Sequence, residues 1–384
     1  MKEEIGASDF PADEGRPHRE PSTEQDPLYG ALDRLWERGR DILGTDLAIM
    51  GGAMTWVSER NLVSAISNAG GFGVIASGSM SPELLSAEIS ATKALTRRPF
   101  GVNLITLHPK LIELIEVCGD HRVGHVVLAG GLPSSVTVRK IMQSGARIFC
   151  FAPALGFARK LVRMGVDAII IEGSEAGGHI GPVSTGVLAQ EILPHLRSVP
   201  VFVAGGIGRG EAMLAYLEMG ASGVQLGTRF VCAHESIAHP RFKQAFIRAA
   251  ARDAVASVQL DPRFPVIPVR ALVNPATERF IAVQRGVIDR CAQGALSQKE
   301  ARLEIEHFWA GALRRAVIDG DIEAGSLMAG QSVGFVTREQ STAEILEELV
   351  NQALAVLDTR RAGAPHQSVV SRQVLLGSRA RAND

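Results

Sequence analysis

The sequence predicts a (β/α)8 TIM barrel carrying a smaller, mostly helical lid domain. Three observations predict it. Eight short apolar, β-rich runs recur between Leu47 and Leu226. Helical patterns lie between most of them, giving a period of roughly 20–30 residues, as parallel strands with helical crossovers require. The chain is 384 residues long, which exceeds the roughly 250 residues of a typical barrel and leaves room for an appendage.

The expected strands are Leu47–Met50, Phe72–Ala76, Phe100–Leu104, His125–Ala129, Arg147–Ala152, Ala168–Glu172, Val201–Ala204 and Gly223–Leu226. They are apolar on both faces, as strands covered by helices should be. The expected helices are Glu59–Asn68, Pro82–Thr96, Ser134–Gln143, Ala154–Met164, Thr185–Leu196 and Glu211–Met219. Several stop at a glycine (Gly70, Gly145, Gly165, Gly220), which can adopt the left-handed conformation that ends a helix. Eight units in series favour a closed barrel over an open doubly wound sheet. The pattern changes after Cys232. Residues 1–40 are expected to form a charged arm and helix, 41–232 the barrel, and 233–335 the lid, with a proline-rich crossing at Asp261–Pro268. Residues 336–360 are expected to form a closing helix packed on the barrel, centred on Thr342–Leu357, and 361–384 a flexible tail with Arg379 and Arg381.

Composition excludes several function classes. Net charge is −1 and aromatics are 5%, so neither the electrostatic nor the stacking requirement of a nucleic-acid binder is met. Cys118, Cys150, Cys232 and Cys291 form no CxxC pair, and no second histidine or cysteine is spaced as a metal partner for His179, so no metal is expected. The N-terminus lacks the apolar core of a signal peptide, and no apolar run approaches the roughly 18 residues of a membrane span. The expectation is a cytoplasmic protein with a small-molecule substrate, no membrane contact, and a homodimer left open. Glycine is the outlier: 40 of 384 residues, about 10% against a usual level of about 7%.

Three glycine clusters follow expected strands, on the rim where barrel enzymes carry their chemistry. Ala204–Gly210 follows the seventh run and Gln225–Arg229 the eighth. Loops at these two places are the usual phosphate grip of a barrel, because glycine lets backbone N–H groups approach an anion. Arg229 could meet a phosphate or pair with an acid. The spacing is not GxGxxG, so a dinucleotide fold fits less well. The third cluster, Glu172–Gly181, places His179 among glycines that leave room for a ligand beside the imidazole. Glu172 and Glu175 could orient it, or be solvated loop charges. Trp56 is either a substrate-lining or a packing residue. Gln331 either closes the site or packs, and His234 and His239 read as structural.

Glu172–Gly181, Ala204–Gly206 and Gly227–Phe230 together resemble the FMN-dependent nitronate monooxygenase (2-nitropropane dioxygenase) family. Its superfamily includes the flavin-dependent enoyl-acyl carrier protein reductase II. Gly52–Val57, Ser67–Gly73, Pro99–Asn103, Gly320-Asp321 and Gly325–Gln331 match in the same order, so the likeness spans about residues 45–355. The resemblance implies a barrel holding FMN at its rim beneath a helical lid. It implies that Gly52, Ala53 and Met54 lie along the flavin ring and that Asn103 hydrogen-bonds it. Gly178 would support the cofactor, and Gly205, Gly206, Gly227 and Thr228 would hold its phosphate. His179 matches the family's catalytic histidine. One departure stands out: the family's Gln-Gly-Gly-Met is Gly51-Gly52-Ala53-Met54 here, which most simply is a harmless substitution. The implied activity is oxidation of alkyl nitronates or nitroalkanes with O2. The competing activity is NAD(P)H-dependent reduction of an enoyl thioester, because Val269–Asn274 and Met328–Gln331 look like the reductase branch. A flavin- or phosphate-binding protein without turnover is the reading from another class.

Overall fold

A computed structural model describes residues 27–261 and 268–363. Residues 1–26 of the expected arm, 262–267 of the proline-rich crossing and 364–384 of the tail lie outside the described residues.

Eight parallel strands close into a barrel. Around the ring they are β1 (Ile49–Gly51), β2 (Phe72–Ala76), β3 (Phe100–Ile105), β4 (His125–Ala129), β5 (Arg147–Phe151) and β6 (Ala168–Glu172). A two-residue strand, β7 (Gly178–His179), leaves the ring, which continues with β8 (Val201–Ala204) and β9 (Gly223–Leu226). Closure pairs Met50 of β1 with Gln225 of β9. The eight apolar runs of the sequence are these eight strands, with ends shifted by a residue or two in the first, third and fifth.

Strand alternation divides the side chains into two cores. Ile49, Val102, Val126, Ile148, Ile169, Ile171, Val203 and Val224 face outward into a shell with the helices. Met50, Phe72, Val74, Val127, Phe149, Ala168, Ile170, Phe202 and Ala204 face inward and fill the barrel. Low in that interior, the His125 ring meets Phe72 at 4.8 Å and Phe149 at 5.8 Å, and its Nε2 donates to the Ile42 carbonyl at 2.8 Å. Burial pushes its pKa down. Each phenylalanine buried here contributes about 1.5–3 kcal/mol of transfer free energy. The interior is thus a packed floor.

The helices start and stop as their end residues dictate. Ser81 caps Pro82–Leu95 by accepting from the Leu84 N–H, and Ser134 caps Ser135–Gln143 from Thr137. Gly70, Gly145, Gly165 and Gly220 all have positive φ after their helices. One crossover helix, Leu111–Asp120, is absent from the sequence reading; it has no side-chain cap at Lys110 and no glycine stop, so neither end signal is present. The expected helix Thr185–Leu196 becomes α-helix to Ile192 and then a 3-10 turn, Leu193–His195, containing Pro194.

The closing helix runs from Thr342 to Arg361, with a capping box between Ser341 and Glu344. It presses on helix Gly210–Glu218 so closely that a Cβ on Gly210 would lie 1.9 Å from the Leu349 carbonyl oxygen. The first helix spans Pro27–Leu43, past residue 40.

The region after Cys232 is not helical throughout. Helices Pro275–Ala292 and Gln298–Val317 pack around their own core of Val269, Phe280, Val287, Ala301, Ile305 and Trp309. Beside them, β10 (Ala254–Ala256), β11 (Val269–Leu272) and β12 (Leu327–Met328) make an antiparallel sheet that also takes in β7. Runs of two to four residues are too short to show a period, which is why sequence reasoning did not find them.

Candidate active site

The first rim loop follows β1. The Gly52 N–H donates to the Leu226 carbonyl at 2.8 Å, which ties this loop to the end of β9. Ser58 clamps it, its Oγ accepting from the Met54 N–H and donating to the Gly52 carbonyl, both at 2.9 Å. A Cβ on Gly52 would lie 3.2 Å from Gln225 Nε2, and one on Gly227 would lie 3.4 Å from Met54 Sδ. Gly52, Met54, Gln225 and Gly227 therefore meet at one side of the mouth, and Ala53 packs at the top of the inner core.

Asn103, Glu172 and Gln225 share the inward parity of the floor residues, one step above them. Asn103 is buried, and its Nδ2 donates to the Val127 carbonyl at 3.0 Å, so its Oδ1 remains as an acceptor. Ser77 Oγ donates to the Asn103 carbonyl and fixes the end of β3. Glu172 and Gln225 are separated by β8, which puts their Cα atoms about 10 Å apart at two strand spacings. Neither side chain has a hydrogen-bond partner among the described residues. Burial pushes the Glu172 carboxyl up to about 8.

The two glycine loops after β8 and β9 are adjacent. Gly205 and Gly206 have φ of +94° and +74°. A Cβ on Gly205 would lie 3.0 Å from the Gly173 carbonyl oxygen, and one on Gly206 would lie 3.0 Å from Glu175 Cβ. The N–H groups of Gly205, Gly206, Ile207 and Gly208 find no acceptor among the described residues. Orphan N–H groups on a path only glycine can follow suit a phosphate, so the residues present fit the phosphate end of FMN. Thr228 is buried at the start of the turn Thr228–Val231, and its Oγ1 accepts from the Gly330 N–H at 3.0 Å. Arg229 is spoken for: it donates to the Phe335 carbonyl at 2.6 Å and pairs with Glu348 at 3.1 Å on the closing helix.

His179 lies on β7 opposite Val269 of β11, and Gly178 lies opposite Arg270. His179 is exposed and Gly178 has φ of +76°. Arg270 stitches the loop to the sheet, its Nε donating to the Ser174 carbonyl at 2.8 Å and its Nη1 to the Ala254 carbonyl at 2.6 Å. Gly177 meets the backbone of Ala329 and Gly330, where a Cβ would lie 2.6 Å from the Gly330 nitrogen. Glu175 accepts from the Thr185 N–H at 2.8 Å and lies 2.9 Å from the Thr185 hydroxyl. It therefore anchors helix Thr185–Ile192. The Gln331 N–H donates to the Glu175 carbonyl at 2.9 Å.

Other residues singled out in the sequence have definite places. Trp56 holds φ of +69°, donates Nε1 to the Ala310 carbonyl at 3.3 Å, and lies 5.8 Å beneath the Arg314 guanidinium, so it joins the rim to helix Gln298–Val317. His239 caps helix Pro240–Arg248 by accepting from the Arg241 N–H. Among the described residues no three His, Cys, Asp or Glu side chains are grouped to hold a metal, and no helix is long and apolar enough to cross a membrane. Sequence reasoning did not single out the mouth position of Gln225 or the stitching by Arg270. The strand parity that places Gln225 is visible in the sequence; the role of Arg270 depends on a fold contact between distant segments.

The nitronate monooxygenase family profile matches residues 37–118 and 110–352. The (3aS,4S,5R,7aS)-5-hydroxy-7a-methyl-1-oxo-octahydro-1H-indene-4-carboxyl-CoA dehydrogenase of Mycobacterium tuberculosis is 31% identical over 351 residues, covering 84% of this chain and 97% of that one. A probable nitronate monooxygenase of Bacillus subtilis is 26% identical over 341 residues, covering 78% and 94%. The structure of FabK from Thermotoga maritima superposes with a TM-score of 0.75 at 34% identity, covering 85% of this chain and 98% of that one.

Proposed function

The chain belongs to the nitronate monooxygenase family, a family of oxidoreductases, and from that premise we propose that it is an FMN-dependent oxidoreductase acting on the acyl group of a thioester. One observation carries the choice of substrate. The two segments that resemble the reductase branch, Val269–Asn274 and Met328–Gln331, converge on the sheet that holds His179, with Val269 directly opposite it. The 31% identity to a carboxyl-CoA dehydrogenase supports the same reading.

FMN, when bound, would supply the two-electron chemistry at its ring. The chain's own residues do the rest. The Gly205–Gly208 and Gly227-Thr228 loops bind the phosphate. Gly52, Ala53 and Met54 would border the ring, and Asn103 would offer Oδ1 to it. His179, on the short strand that the lid sheet holds in place, moves a proton at the substrate's α-carbon. NAD(P)H would be the co-substrate that supplies or takes up the electrons. Thr228, through Gly330, and Arg270 keep the lid sheet closed over the mouth and limit water there.

Oxidation of alkyl nitronates with O2 is the second reading, supported by the family profile and by the relative from Bacillus subtilis. In that case His179 faces an anionic nitronate or removes the α-proton of the nitroalkane. Side-by-side assays of the FMN-loaded protein with an enoyl-CoA plus NAD(P)H, and with a nitronate plus O2, separate the two. The thioester reading expects turnover of the first pair at least tenfold faster; the reverse ratio assigns the nitronate.

A further inference from the structure

We propose that Glu172 contacts the ligand bound across the barrel mouth and presents to it a neutral carboxyl, as a hydrogen-bond donor. The inference rests on the flavin reading above and adds to it a residue that the resemblance does not assign.

Placement is the first ground. Ala168 and Ile170 of β6 belong to the inner core, so Glu172, two residues further on, has the same inward parity at the last step before the rim. It lies in register with Ala204, whose strand leads into the phosphate-grip loop. Whatever rests on the barrel mouth with its phosphate at Gly205 and Gly206 passes over this position.

The absence of a counter-charge is the second ground. The other inward residues at the top of the strands are Met50, Ala76, Asn103, Ile105, Ala129, Phe151, Ala204 and Gln225, none of them cationic. On the overlying loop and sheet, the charged or titratable side chains are Glu175, His179 and Arg270. Glu175 is engaged by Thr185, and Arg270 is directed to the Ser174 and Ala254 carbonyls. His179 belongs to β7, whose partner is β11. Glu172 is half-buried, and a carboxylate with neither a cation nor an N–H donor beside it among the described residues is disfavoured, which favours the protonated form. Desolvation raises its pKa accordingly.

Complementarity is the third ground. A protonated carboxyl donates one hydrogen bond in a defined direction. The Asn103 Oδ1 accepts, and Gln225 can do either. The mouth therefore offers a donor and an acceptor on opposite sides. The pyrimidine end of a flavin, with ring carbonyls and nitrogens that accept and one N–H that donates, matches that set.

The test reconstitutes ligand-stripped protein with FMN and compares wild type, Glu172→Gln and Glu172→Leu. Circular dichroism confirms that each variant is folded. Glu172→Gln keeps a neutral donor and is expected to bind FMN within about threefold of wild type. Glu172→Leu removes it and is expected to bind about 3–10-fold more weakly, the range of one net hydrogen bond, with a shifted flavin absorbance band. A second readout needs no ligand: the infrared carbonyl band of a protonated carboxylic acid should be present at pH 7 in wild type and missing in Glu172→Gln. Wild-type affinity and spectrum in Glu172→Leu overturn the contact. A loss in Glu172→Gln equal to that in Glu172→Leu, or no carboxylic-acid band difference at pH 7, overturns the neutral donor. Failure of wild type itself to bind FMN sinks the flavin reading and this inference with it, a result distinct from the others.

Discussion

The floor and the mouth of the barrel are built by the same eight strands and by the same alternation, yet they are chemically opposite. At the floor the inward positions carry Phe72, Phe149 and Phe202 around a neutral, hydrogen-bonded His125. At the mouth they carry Asn103, Glu172 and Gln225, set among small residues and glycine loops. Floor groups find their partners within the protein. Among the described residues, mouth groups leave acceptors, donors and backbone N–H groups without partners. One end of the strands is finished by folding, and the other is the end we propose a ligand completes, as the two ends of a barrel divide stability and chemistry.

The largest difference between the ends should show in His179. His179→Ala is expected to retain FMN and to lose about 10²–10⁴-fold in turnover, the usual weight of a general acid or base. Steady-state rates with the cofactor content measured check this, and unchanged turnover removes the residue from the chemistry. At the floor, Phe149→Ala is expected to cost about 3–5 kcal/mol of stability in denaturant unfolding. The FMN affinity of the folded fraction should change less than threefold; a large change would mean the floor and mouth are coupled.

Glu172 sharpens the contrast through pH. Its carboxyl releases a proton near its ordinary value of 4.5 in the unfolded chain but near 8 in the folded one. Between those values the folded state binds more protons, so wild-type stability falls as pH rises. Glu172→Gln carries no such penalty. Its stability advantage over ligand-stripped wild type, read from Tm and denaturant unfolding, should widen from pH 5 to pH 8, reaching at most about 3 kcal/mol at pH 7 by linkage. A pH-independent difference contradicts the burial argument. The smallest effect is expected at Gly205→Ala. Left-handed backbone at a non-glycine residue costs about 1–2 kcal/mol, and FMN affinity should fall with it if this loop holds the phosphate as proposed. Equilibrium titration with FMN measures it.

The sequence shows the barrel clearly because each unit repeats three local signals: an apolar strand, an amphipathic helix and a glycine stop. Helix Leu111–Asp120 lacks the stop and the cap, and it was the one crossover helix between successive barrel strands that pattern alone did not separate. The small sheet was invisible for a different reason. Its strands come from β7, from 254–272 and from 327–328, and only folding brings them together. The same holds for the site. Glycine clusters and His179 are local features, visible in the sequence as candidates. Two things depend on pairings across the chain instead: the stitching of Ser174 to Arg270, and the capture of Arg229 by Glu348 rather than by a phosphate.

The central claim is that a flavin at this mouth serves thioester chemistry. Anaerobic absorbance of the FMN-loaded protein tests it most directly. The flavin band should bleach on mixing with NADH or NADPH and return when an enoyl-CoA is added without oxygen. Bleaching by an alkyl nitronate, with no response to either nicotinamide, would contradict the account.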